Sequence, residues 1–183
     1  MTGINIDLEA SGVVNVNDSN GVVFDPATST ILHADENDDV VREFTLPPVT
    51  LLATIDIDAT VSDAEGIEIN PANGNILIAD DLVGSIGTLF EFTRTGVLVR
   101  QWDMADLLAG TSYSNADPLG LALDRGRGEL YVAQGTNNRV DVFRFGTGEP
   151  VAVPIAPPGT LLLLSTVLVG MGLMAMRRRR RTS

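Results

Sequence analysis

An all-β fold is predicted for this chain of 183 residues, and three observations predict it. Apolar and polar residues alternate over short runs, the period-2 pattern of strands with one buried face. Turn-forming residues separate the runs: 26–30, then Pro71, Asn73 and Gly74, then Gly126 and Gly128. The same order of runs then recurs three times between Gly21 and Phe145.

Each repeat aligns on a glycine, an Asp or Asn, an alanine and an aromatic strand. The first copy comprises residues 21–25, 31–35 and 40–44, the second 66–70, 76–80 and 88–92, and the third 120–124, 130–134 and 140–143. Glycine and alanine stand 13 residues apart in every copy, at Gly21 and Ala34, Gly66 and Ala79, and Gly120 and Ala133. A fourth strand, 51–57 and 97–103, follows the first two copies. A four-stranded antiparallel unit of this size is a propeller blade. The expected architecture is therefore a partial β-propeller of about three blades, near 21–58, 66–104 and 120–145, in a region spanning 1–148. Glycine near the start of each inner strand suits a place where backbones crowd together.

Residues 129–143, ELYVAQGTNNRVDVF, resemble an NHL-type propeller repeat. That family carries Asp where this chain has Gln134, whereas the other copies keep Asp35 and Asp80. The resemblance implies a binding scaffold more often than an enzyme. Residues 5–10 are similar to 54–59 and so read as the last strand of an earlier blade, while the third copy stops at Phe145 without a fourth strand. Because propellers typically have four to eight blades, the expectation is the C-terminal part of a longer propeller, beginning before Met1. Alone it would expose faces meant for neighbouring blades, with poor stability or self-association as the consequence.

Composition narrows the partners. The chain has 24 acidic and 12 basic residues, a net charge of −12. All 24 carboxylates lie at or before Glu149 with only seven arginines, so that region carries −17. Nucleic acid is a poor partner for such a surface. No cysteine is present, which removes disulfides and thiolate metal sites. The first twelve residues, MTGINIDLEASG, have neither the basic nor the apolar part of a secretory signal.

The C-terminus has the opposite character. A Pro-rich spacer, 149–159, leads into an uncharged apolar run, 160–176, and then into Arg177, Arg178, Arg179, Arg180 and Arg181. As a helix the run would be about 26 Å long, close to the roughly 30 Å hydrocarbon core. A single transmembrane helix is expected, with 177–183 as a cytoplasmic Arg-rich tail and the acidic domain outside. The order Val153-Pro154, Pro157-Pro158, apolar helix and arginine cluster resembles PEP-CTERM sorting signals, in their Val-Pro-x-x-Pro form. It departs from Val-Pro-Glu-Pro, since Ile155 follows Pro154 and Glu149-Pro150 lies upstream. The resemblance implies recognition and cleavage by an exosortase-type membrane protease, then a place on the cell surface or outside it, often in exopolysaccharide-producing species. Polysaccharide or another envelope protein would be the partner there.

Candidate chemistry is sparse. His33, the single histidine, has no nucleophile elbow or cysteine to work with, and reads as a strand residue facing solvent or a neighbour. Asp35, Asp39, Asp80 and Asp81 fall in equivalent loops, where converging carboxylates suit Ca²⁺. Neither loop has an Asp-x-Asp-x-Asp-Gly pattern, so solvated turn residues are the simpler reading and no cofactor is required. Trp102, Tyr113 and Tyr131 could stack on sugars. The insertion 105–118 is the longest between copies, expected as a helical turn and a polar loop. The leading expectation is an exported, surface-sorted propeller that binds rather than catalyses; the alternative is a metal-dependent propeller hydrolase, phytase-like or lactonase-like.

Overall fold

The computed structural model describes Leu8 and residues 18–46, 48–81, 87–109, 116–136, 138–145 and 150–152. The chain divides into two units, Met1–Ala152 and Val153–Ser183. The second unit lies outside the described residues, and with it the motif Val153, Pro154, Pro157 and Pro158, the apolar run and Arg177 to Arg181. Among the described residues no helix is long and apolar enough to cross a membrane.

Among the described residues twelve strands form three four-stranded sheets, each a meander with neighbours antiparallel. The first holds β1 (Ser19–Asp25), β2 (Thr30–Asp35), β3 (Val40–Thr45) and β4 (Leu51–Asp56). The second holds β5 (Ala64–Ile69), β6 (Ile76–Asp80), β7 (Thr88–Phe92) and β8 (Leu98–Asp103), followed by the single turn α1 (Met104–Leu107). The third holds β9 (Pro118–Asp124), β10 (Glu129–Gln134), β11 (Arg139–Phe145) and β12 (Pro150–Ala152).

β12 corrects the reading that the third copy ends without a fourth strand. Its residues pair with the outer edge of β11, Phe143 with Ala152 and Phe145 with Pro150. Proline is tolerated there because it opens an edge strand. The segment read as spacer from 149 onward thus contributes its first residues to the sheet.

Repeated chemistry makes the repeated hairpins. Asp25, Asn70 and Asp124 each accept a bond from the backbone N–H two residues on, at 2.9, 3.0 and 2.9 Å. Such side chains fold the backbone back on itself. Four residues after each, the chain enters the left-handed region, at Ser29 (φ 57°), Gly74 (φ 77°) and Gly128 (φ 64°).

The sheets stack face to face with β1, β5 and β9 side by side, a propeller-like order. Leu32, Ala34 and Val41 of the first sheet pack with Ile67, Ile76 and Ile78 of the second. Leu77, Ala79 and Leu89 on the opposite face of the second sheet pack with Leu130, Val132 and Phe143 of the third. β6 is therefore buried on both faces, which is why Ile76–Ala79 is apolar at every position. The inner strands touch through glycine: a Cβ on Gly21 would lie 2.6 Å from the Glu65 carbonyl oxygen, and one on Gly66 equally close to that of Leu119.

Candidate functional site

Carboxylates from all three sheets gather where the inner strands begin. An Asp stands three residues before each inner-strand glycine, at Asp18, Asp63 and Asp117. Across from them, Glu36 and Asp81 follow the last residues of β2 and β6. Oxygens of Glu36, Asp63 and Glu65, all half-buried, lie within 4.8 Å of one another.

Burial and a hydrogen bond with Glu36 push the Asp63 carboxyl up to about 6. Burial and a hydrogen bond with Asp117 push that of Asp81 up to about 7. Glu65 is also raised, by burial and then by Asp63 and Glu36. Like charges brought together disfavour ionisation, which adds to burial in raising Asp63, Glu65 and Asp81.

The four carboxylates singled out by sequence do not converge as one set. Asp35 is fully buried, bound by the Arg42 guanidinium and the Asp38 backbone N–H, and Arg42 also reaches Asp38. Asp80 is buried and accepts the Ser62 N–H at 3.0 Å. Asp39 sits at positive φ (46°), its carboxyl raised by burial and then by Asp58 and Asp80. Asp81 alone joins the paired carboxyls. Gln134, the departure from the repeat pattern, is buried and accepts the Asp117 N–H at 2.6 Å. It thus performs beside its own inner strand what Asp80 does at Ser62. Glu36, Asp63, Glu65 and Asp117 were not singled out by sequence, although the repeated Asp-x-x-Gly at 18, 63 and 117 marks the spot.

The remaining candidates are placed as follows. His33 is buried, its Nε2 against the Ser19 hydroxyl and its Nδ1 without a hydrogen-bond partner among the described residues. Burial lowers its pKa, and Asp35 opposes the shift. It lines an open cavity of about 330 Å³ with Leu8, Ser19, Gly21 and Ile31. Trp102 belongs to the core between the second and third sheets, beside Met104 and Leu108, with Arg100 5.6 Å from its ring centroid. It is not free to stack on a sugar. Tyr131 is half-buried and donates to Glu129 at 3.1 Å. Tyr113 lies outside the described residues.

No protein-family profile matches the chain, and no curated protein matches it. Solved structures do. Hydrazine synthase of Kuenenia stuttgartiensis aligns over 82% of this chain and 37% of its own, at 13% identity and TM-score 0.54. A putative 6-phosphogluconolactonase of Bacteroides fragilis aligns over 74% and 38%, at 14% identity and TM-score 0.52. One from Bacteroides uniformis aligns over 74% and 39%, at 15% and 0.52. These likenesses establish the all-β, propeller-like fold, and the chain spans well under half the length of each structure.

Proposed function

We propose that the chain is an exported, cell-surface-sorted propeller protein of NHL-like repeats, with a non-catalytic binding or scaffold role in the envelope or extracellular matrix. Its C-terminus is recognised and cleaved by an exosortase-type membrane protease near Val153, Pro154, Pro157 and Pro158. The observation that carries this reading is the order of the tail, in which a proline motif, an uncharged apolar run of 17 residues and five arginines follow one another. Holding the arginines in the cytoplasm avoids moving charges across the bilayer, each at a cost of about 2.5–3.5 kcal/mol. The domain at −17 is thereby left outside, where polysaccharide or another envelope protein is its partner.

The test is to express the full chain in an exosortase-competent host and in the same host lacking that protease, and to weigh the product. A mass shortened by the tail only in the competent host is expected. Identical masses in the two hosts would overturn the sorting assignment.

A further inference from the structure

Each internal seam joins two unlike faces. The first sheet contributes its glycine-bearing face, where Gly21 pairs with Ala34 and Ala34 with Val41. The second sheet meets it with the opposite face, carrying Ile67 and Ile69. The next seam repeats the arrangement, with Gly66, Ala79 and Leu89 on one side and Leu121 and Leu123 on the other. A stack built in this way ends in one face of each kind.

Both end faces are open. On the first sheet, Val22 and Phe24 hold the positions of Ile67 and Ile69, and are 67% and 48% exposed where the isoleucines are 3% and 2%. On the third sheet, Val140 is 50% exposed at the position where Val41 and Leu89 are buried. A Cβ on Gly120 would have room there, whereas at Gly21 and Gly66 the backbone of the neighbouring sheet fills the space.

Two further features fit these faces to each other. Residues 5–10 are similar to 54–59, which aligns Leu8 with Ile57, the residue after β4, as Met104 is the residue after β8. Ile57 and Met104 plug the two internal seams, and Leu8 lines the cavity beside Val22, Ile31 and His33. A plug for a third seam is therefore already seated on the first sheet. The departures from apolar chemistry are also matched. Tyr131 holds the position of Leu32 and Leu77, and His33 that of Ile78 and Val132. Leu32 shares a core with Ile78, and Leu77 with Val132, so the two open faces turn polar at positions that share a core in both internal seams.

We infer that the open face of the third sheet receives the open face of the first sheet of a second copy of this chain, head to tail, and that two copies close a ring of six sheets through two such seams.

Six sheets fall within the four to eight of closed propellers, and a head-to-tail contact that closes leaves neither face exposed. In each new seam Gly120 of one copy lies against Val22 of the other, as Gly21 lies against Ile67. His33 is buried, and its Nδ1 has no hydrogen-bond partner among the described residues. Buried polar atoms ordinarily find one, and the Tyr131 hydroxyl of the second copy supplies it. The contact depends on the faces of the sheets alone, so it holds wherever the chain is sorted.

Light scattering on the full chain in mild detergent, with the detergent's share subtracted, gives the mass of protein in the particle. Two copies are expected. Val22→Glu and Val140→Glu alter exposed residues at opposite ends of the stack, so each variant is expected to fold and to weigh as one copy. Their equimolar mixture is expected to return to two copies, because the intact third-sheet face of the first variant meets the intact first-sheet face of the second. Association through the apolar run 160–176 would survive both substitutions and would not respond to mixing. Gly120→Ala adds a methyl that has room in a single copy and none in the docked pair. Diluted until the copies separate, it should unfold as wild type does, while the pair is weakened about fivefold or more per seam. A wild type that weighs as one copy would overturn the inference and leave the faces to further sheets or to another protein. A two-copy mass unchanged by both glutamates, or a mixture that stays at one copy, would overturn it as well.

Discussion

Gly66 lies against Leu119 so closely that a Cβ on the glycine would stand 2.6 Å from the Leu119 carbonyl oxygen. Gly21 stands in the same relation to Glu65, whereas a Cβ on Gly120 would meet, among the described residues, only the Ala133 Cβ, at 3.5 Å. Gly21→Ala and Gly66→Ala are each expected to cost about 1–3 kcal/mol, the range for forced overpacking. Gly120→Ala should stay within about 0.5 kcal/mol. Denaturant melts of the three variants check this, and equal losses at all three positions would contradict the seam geometry.

Glu91 is buried and fully bonded. It accepts from the side-chain amides of Asn70, Asn73 and Asn75 at 3.2, 2.7 and 2.8 Å, and faces Arg100 at 3.2 Å. Glu91→Ala would strip three amides of their acceptor, while Arg100 stays exposed to solvent, an expected loss of about 2–4 kcal/mol. Equilibrium unfolding measures it; a loss below about 1 kcal/mol would mean that water satisfies the amides equally well.

Ser29 occupies the left-handed turn position that Gly74 and Gly128 fill in the other copies. A non-glycine residue there carries about 1–2 kcal/mol of steric cost, partly offset by the entropy glycine loses on folding. Ser29→Gly is therefore expected to stabilise the chain by up to about 1 kcal/mol, seen as a raised Tm. A lowered Tm would show that the serine side chain contributes more than its strain costs.

Arg94 bridges the first seam. Its guanidinium binds Asp25, approaches Glu43 at 3.7 Å and donates to the Gly74 carbonyl at 2.9 Å. Burial pushes the Asp25 carboxyl up, but the Ala27 N–H and Arg94 outweigh it and hold the group below its ordinary 3.8. The stability this adds is present above 3.8 and is lost as the pH falls through the lower folded value. Arg94→Met should cost about 1.5–3 kcal/mol at neutral pH and much less once Asp25 is protonated. A deficit independent of pH would assign Arg94 a packing role alone.

The period-2 runs and the constant glycine-to-alanine spacing made eleven of the twelve strands legible, because each is long enough to show a pattern. β12 was not, since three residues opening on Pro150 carry no period. The acidic cluster 35–39, interrupted by Asn37, has the composition of a metal loop, yet Asp35 is bound by Arg42. The carboxylates that do converge are Glu36, beside β2, with Asp63 and Glu65, at the start of β5, which only the stacking of the sheets brings together. Trp102 was ambiguous for a similar reason. β8 exposes Leu98 and Val99, and Trp102 is buried because it sits opposite Leu89 and above Met104.

The proposed function requires the acidic propeller-like domain to lie outside the inner membrane before its tail is processed. Protease added to intact cells carrying the full chain, followed by immunodetection of the domain, measures this. Digestion without lysis is expected; a domain protected until the cells are broken would place it inside.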